Sequence, residues 1–258
     1  MPKFSANLSM LFTEVDFPDR FKQAAVAGFK AVEYMFPYPY QPEFLLEKLQ
    51  AQGLSQVLFN LPAGNWEAGE RGIAVRPDRV SEFQDGVGQA IAYAGKLDCL
   101  QVNCLVGLAP DLPAELARET LVQNLRFASE KLAKHRIRLL IEPLNSRDIP
   151  GFFLTSTAQA LSLIRAVDHP NLYIQYDVYH MQVMEGNLTE TIQKNLERIS
   201  HIQIADNPGR HEPGTGEIHF TNLFTFIDRA GYNGYIGCEY KPLQKTEEGL
   251  SWIKPYLP

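Results

Sequence analysis

The chain has 258 residues, with 24 Lys+Arg against 30 Asp+Glu, a formal net charge of −6 with histidine neutral. At 45% apolar and 21% charged residues it can bury a large core, which excludes global disorder. The acidic balance argues against nucleic acid or an anionic membrane held by bulk charge, and no apolar run reaches the ~20 residues of a membrane span.

The first predicted strand is FSANLSM, from Phe4. PDRFKQAAVAGF follows as a helix that opens on Pro18 and closes at Gly28, as proline and glycine favour. A second strand, AVEYMF from Ala31, leads to the helix PEFLLEKLQAQG, Pro42 to Gly53. After the third strand, LSQVLFN from Leu54, the segment Pro62 to Arg79 is long and lacks an apolar period. It carries Trp66 and Arg71 among its glycines and is read as an ordered functional loop.

LQVNCLV from Leu100 is the fourth strand. The helix PAELARETLVQNLRFASEKLAKH after it places Leu116, Leu121, Leu125, Ala128 and Leu132 near one face. IRLLIEP from Ile137, the Thr- and Ser-capped helix TSTAQALSLIRAV, LYIQYD from Leu172 and ISHIQIA from Ile199 continue the alternation. The helix HFTNLFTFIDRAGY, the strand YIGCEY from Tyr235 and the helix TEEGLSWIKPY complete it.

Eight strand–helix units of about 32 residues each imply parallel strands with right-handed crossovers. Eight close naturally into a (β/α)8 TIM barrel, expected as one domain over residues 1–258. A doubly wound open sheet is the rival, but no strand is followed by G-x-G-x-x-G or G-x-x-x-x-G-K-[ST], so no organic cofactor is expected. The N-terminus lacks the layout of an export signal. Cys99, Cys104 and Cys238 have neither an even count nor zinc spacing, which fits reduced thiols in a cytoplasmic protein. Cys238 beside a carboxylate reads as a packing thiol, since no basic partner is visible.

Barrel active sites lie at the C-terminal ends of the strands. Glu142, Asp177, Gln203 and Glu239 fall there, 35, 26 and 36 residues apart, about one barrel unit each. Three carboxylates in one apolar cup repel one another unless a cation neutralises them, and hard oxygen donors suit Mg2+ or Mn2+. Pairing of each acid with a nearby Arg or Lys is the alternative; the common register on adjacent strands favours a metal site. His180, just past Asp177, is a candidate substrate contact. His201 shares the strand face of Gln203, with core packing the expectation. Arg210, Lys241 and Arg71 are three candidate anion contacts, and the sequence does not choose among them.

FSANLSMLFTEVDFPDRF, AVEYMFPY, LFNLPAGNWEAGERG, DVYHMQVMEGNLT, HIQIADNPGRHEPGTGEI and YIGCEYKP resemble the hydroxypyruvate isomerase family, xylose-isomerase-like barrels that include the 2-oxo-tetronate isomerases. The resemblance spans nearly the whole chain, and NLPAGNWEAGERG is more similar to the 2-oxo-tetronate branch. It implies metal ligation by Glu142, Asp177, Gln203 and Glu239, with Glu142 and Glu239 also the proton donor/acceptor pair. Positions matching His180 and Arg210 contact substrate in related sugar epimerases, where a histidine stands at the place of Gln203.

The implied reaction converts a 2-oxo-tetronate to a 3-oxo-tetronate through an enediolate; the alternative is hydroxypyruvate to tartronate semialdehyde. The implied partner is a small sugar acid, with no nucleic acid or membrane, in a chain compatible with a homo-oligomer. A metal-dependent endonuclease is the rival of another class. Such sites recruit several histidines, whereas strands three and four end here in Asn60 and Asn103. A non-catalytic sugar-binding module is a further rival, since fold does not fix function.

Overall fold

The computed structural model describes residues 1–257. All eight expected strands form: β1 Lys3–Asn7, β2 Ala31–Glu33, β3 Ser55–Asn60, β4 Gln101–Cys104, β5 Arg138–Ile141, β6 Leu172–Asp177, β7 Ile199–Ile204 and β8 Tyr235–Cys238. They pair in parallel in chain order, and β1 pairs with β8 to close the barrel. Apart from β3 and β6, the strands stop short of the apolar runs that announce them, because the C-terminal residues of those runs leave the ladder to build the mouth.

The helices are α1 Phe17–Val26, α2 Pro42–Gln52, α3 Val80–Leu97, α4 Ala114–Ala133, α5 Thr157–Val167, α6 Val178–Met184, α7 Leu188–Asn195 and α8 Phe220–Arg229. The punctuation works as its chemistry requires. Pro42 starts α2, and Gly53 ends it in the left-handed conformation at φ 60°. Ser156 caps α5 by accepting from the Gln159 N–H at 3.2 Å.

On α4 the buried stripe is Ala117, Leu121, Leu125, Ala128 and Leu132, whereas Leu116 is 40% exposed. Ala117, four residues before Leu121, holds the place expected for Leu116, since a five-residue step rotates off the face. The segment Thr246–Tyr256 is a 3-10 helix rather than an α-helix. Gly249 and Pro255 lie inside it, and both weaken α-helical propagation. Its Trp252 packs on Phe4 and Phe224, with ring centroids 5.3 and 5.7 Å apart. No helix among the described residues is long and apolar enough to cross a membrane.

Barrel interiors are ordinarily filled by Val, Ile and Leu. This one carries buried Ser5, Asn7, Glu33, Asn103, Gln175, His201 and Gln203. Glu33 lies at the centre. It accepts from Ser5 Oγ at 2.7 Å, Asn7 Nδ2 at 3.2 Å and Gln203 Nε2 at 2.8 Å, and it pairs with His201 Nε2 at 2.8 Å. His201 therefore does point inward, but as the partner of a buried carboxylate rather than as a packing residue. Burial would raise the Glu33 pKa; His201 and the donors from Gln203 and Ser5 outweigh it and hold the carboxyl below its ordinary value.

Gly237 on β8 makes room for this group, since a Cβ there would collide with both Glu33 carboxylate oxygens. Gly237→Ala is expected to cost roughly 1–3 kcal/mol through overpacking, read as a lower urea midpoint with an unchanged slope.

Candidate active site

A cavity of about 580 Å³ opens at the C-terminal ends of the strands. Glu142 follows β5, Asp177 ends β6, Gln203 lies in β7 and Glu239 follows β8, so the barrel's own register brings all four together. Glu142, Gln203, Glu239, His180, Arg210, Lys241 and Arg71 line the cavity. Asp177 is fully buried just behind its wall.

Glu142 and Glu239 are held by neutral donors from adjacent strands, and Asp177 by the helix that follows it. Asn103 Nδ2 donates to Glu142 Oε2 at 3.0 Å and to Asn60 Oδ1 at 3.2 Å. Glu239 Oε2 accepts from Asn7 at 3.1 Å and from Gln203 Nε2 at 2.5 Å. Asp177 Oδ1 caps α6 by accepting the Tyr179 N–H at 2.8 Å. Gln203 turns its nitrogen to Glu33 and Glu239, and its carbonyl accepts from Gln175 at 2.6 Å.

Arg210 brings the positive charge. Its Nη2 lies 2.7 Å from Glu239 Oε1 and 3.6 Å from Asp177 Oδ2. The loop after β7 is built around Asp206, whose carboxylate accepts the N–H groups of Asn207, Gly214, Gly216 and Ile218 at 2.8–3.1 Å. Arg210 itself sits at φ 59°, and its carbonyl accepts from the Lys241 N–H at 2.8 Å. A small loop tied at both ends thus aims one guanidinium at the floor.

His180 is fixed by Asn145, whose backbone N–H donates to Nδ1 at 3.1 Å. A backbone N–H can only donate, so Nδ1 holds a lone pair and the proton of the neutral ring sits on Nε2. Nε2 faces Asp177 Oδ2 at 3.5 Å. Burial, then the neighbouring Arg210 charge, holds the imidazole well below its ordinary pKa. His180 is therefore a neutral N–H donor facing the floor.

One ligand atom each from Glu142, Asp177 and His180 lies within 4.8 Å of the others. Because the His180 lone pair faces Asn145, the oxygens are the better donors. The floor is rich in acceptors: Asp177 Oδ2, Gln175 Oε1 and Asn103 Oδ1 are buried without a hydrogen-bond partner. Orphaned oxygens beside three carboxylates fit a hard divalent cation.

Burial, then repulsion from Glu239 and Asp177, pushes the Glu142 carboxyl well above its ordinary range. Burial raises Glu239 to about 8 despite Arg210, and burial raises Asp177 as well. Burial also pushes the Cys238 thiol well up, in keeping with a packing role. Sequence reasoning missed Glu33, Asn7 and Gln175. The signal for Glu33 was available, since it too ends a strand.

The model of the xylose isomerase-like TIM barrel matches residues 21–256. The chain belongs to that family. It is 56% identical to the hydroxypyruvate isomerase of Escherichia coli K12, over 99% of this chain and 100% of that one. It is 48% identical to the 2-oxo-tetronate isomerase of Pectobacterium atrosepticum, over 100% and 98%. A crystal structure described as an AP endonuclease of family 2 from Brucella melitensis superposes with a TM-score of 0.98 at 45% identity, covering both chains fully.

The raised carboxyls predict a pH dependence of stability. A carboxyl whose folded pKa exceeds its unfolded value contributes stability below the unfolded value, and loses it as pH rises toward the folded one. For Glu239 that window runs from 4.5 to about 8. Protein treated with chelator is therefore expected to melt at lower temperature as pH rises through this window. Glu142→Gln should flatten the decline, gaining roughly 2–4 °C for each kcal/mol of repulsion relieved; calorimetry across pH checks it.

Proposed function

We propose that the protein is an isomerase that moves a carbonyl between adjacent carbons of a small hydroxy-oxo acid, a 2-oxo-tetronate being the substrate. The observation that carries this reading is the meeting of Glu142, Asp177 and Glu239 around Arg210 at one buried floor. Full-length relatives named isomerases of such acids support it.

Conversion of a 2-oxo to a 3-oxo acid takes a proton from C3 and places its electrons on the C2 oxygen, giving an enediolate. Protonation at C2, with transfer of the O3 proton to the C2 oxygen, completes it. Glu142 and Glu239 end strands three apart on the barrel wall and can flank a substrate; one accepts the C3 proton and the other serves C2. Their raised pKa values suit a group that must hold a proton and give it back near neutral pH. Arg210 and the Nε2–H of His180 are donors for the substrate oxygens as negative charge develops. A divalent cation, Mg2+ or Mn2+, held by Glu142, Asp177 and Glu239 with Gln203 beside them, would supply further positive charge against the cost of the carbanion.

Hydroxypyruvate to tartronate semialdehyde is the same chemistry with hydrogen in place of the terminal hydroxymethyl group. The 56% identity to the E. coli protein of that name favours it as the second reading. An endonuclease needs a larger metal cluster, and among the described residues a single three-residue group of metal-capable His, Cys, Asp and Glu side chains is found.

Proton NMR in D2O with Mn2+-free, Mg2+-supplemented protein tests the proposal. Solvent deuterium is expected at C3 of the 2-oxo-tetronate and at C2 of its product. Glu239→Gln should slow both by about 10²–10⁴-fold while leaving the fold intact. Wild-type protein that exchanges no carbon-bound hydrogen in either substrate would end the isomerase reading.

A further inference from the structure

A cavity floored by carboxylates must still accept an acid. The positive charge at the floor, from Arg210 and the proposed divalent cation, is matched there by three carboxylates, so the substrate's own carboxylate needs a cation elsewhere on the wall. Three basic side chains line the cavity: Arg210, Lys241 and Arg71. Arg210 is paired with Glu239 and lies beside Asp177. Lys241 is exposed, a hydrated point charge on a flexible stem.

Arg71 differs from both. Its guanidinium lies over the Trp66 ring, 3.9 Å from the centroid, and Trp66 packs edge-on against Phe36 at 5.1 Å. Nη1 donates to the carbonyls of Trp66 at 3.1 Å and Glu70 at 2.7 Å. Those two bonds fix the fork without using its other nitrogens. The neighbouring carboxylate, Glu70, is turned away, engaged by Arg79 and by the Asn65 N–H. Arg71 thus forms no ion pair among the described residues while it faces the cavity.

The loop that carries it is rigid where it matters. The Gly69 and Glu70 N–H groups donate to the Trp66 and Asn65 carbonyls at 3.0 and 3.1 Å. Gly72, at φ 111°, lies so close to the Leu105 carbonyl that a Cβ would strike it. Ile73, Ala74 and Val75 are buried beneath. A planar, oriented, uncompensated guanidinium on a fixed loop matches a carboxylate in two-point contact.

We propose that Arg71, held flat by Trp66, binds the substrate carboxylate and is the residue by which this site selects oxo acids over neutral ketoses. The assignment rests on the isomerase reading above and names the group that recognises its substrate class.

Steady-state kinetics on the Mg2+-supplemented enzyme test it, comparing a 2-oxo-tetronate with the neutral ketotetrose that has a hydroxymethyl group in place of the carboxylate. Arg71→Met should raise KM for the acid by about 10–100-fold, the range of a lost charge-assisted pair, with kcat within a few-fold. The neutral ketose should be unaffected, so selectivity falls by the same factor. Arg71→Lys should recover part of the loss. An acid KM and selectivity unchanged in Arg71→Met would overturn the assignment.

A second measurement does not depend on turnover. In a Trp252→Phe background, glycerate, an inert hydroxy acid, should change Trp66 fluorescence in the parent and lose affinity in Arg71→Met and Arg71→Gln. Equal glycerate affinity in parent and variants would overturn the proposal even if the enzyme isomerises neither substrate, and that failure alone would strike only the isomerase reading.

Discussion

Like charges buried together are the condition to which the rest of the site answers. Glu142, Asp177 and Glu239 leave water at the ends of β5, β6 and β8, where each carboxylate raises the cost of charging the next. Arg210 offsets part of this, and amide donors from Asn7, Asn103 and Gln203 offset more. Asp177 Oδ2 is left without a hydrogen bond. Below them a fourth acid, Glu33, adds to the repulsion on Asp177 and Glu239 and is itself held from its own level by His201, Ser5 and Asn7. The polar barrel interior follows from that arrangement. Apolar side chains there would leave Glu33 unpaired, and an unpaired buried charge costs far more than lost packing.

Much of this was legible in the sequence because a barrel converts chain spacing into spatial register. Each strand is one apolar run, and a polar residue at or beside its end faces the mouth. That rule finds Glu142, Asp177, Gln203 and Glu239 without knowledge of any distance. It also covers Glu33, which was passed over because β2 is only three residues long and its run, AVEYMF, continues in apolar residues past the end of the strand. Contacts between strands distant in sequence were beyond it. Asn7 meets Glu239 across the β1–β8 seam, and His201 meets Glu33 through the barrel. The proton position on His180 depends on one backbone N–H, that of Asn145, which no pattern of side chains announces.

The helical layer was read less finely. Leu116 and the last segment both departed from expectation for local reasons, one a five-residue step around α4, the other a glycine and a proline within one short run. Neither touches the mouth. The same separation leaves the carboxylates of the floor independent of the outer helices, since strand ends position them.

The loop after β3 has a property of its own. From Asn65 to Gly72 it is tied chiefly to itself, through Asn65 and the Trp66 carbonyl, with Glu70 tethered to Arg79. Its anchors, Gly72 and the buried run Ile73–Val75, lie to one side of the tip that faces the cavity. A unit of this kind behaves as a cassette. Its tip can be exchanged while barrel, floor and Arg210 keep their places, because few of their bonds run through it. Divergence among relatives with this floor then has a structurally inexpensive route: the part that touches the far end of a ligand can drift, while the part that handles protons is held still by eight strands.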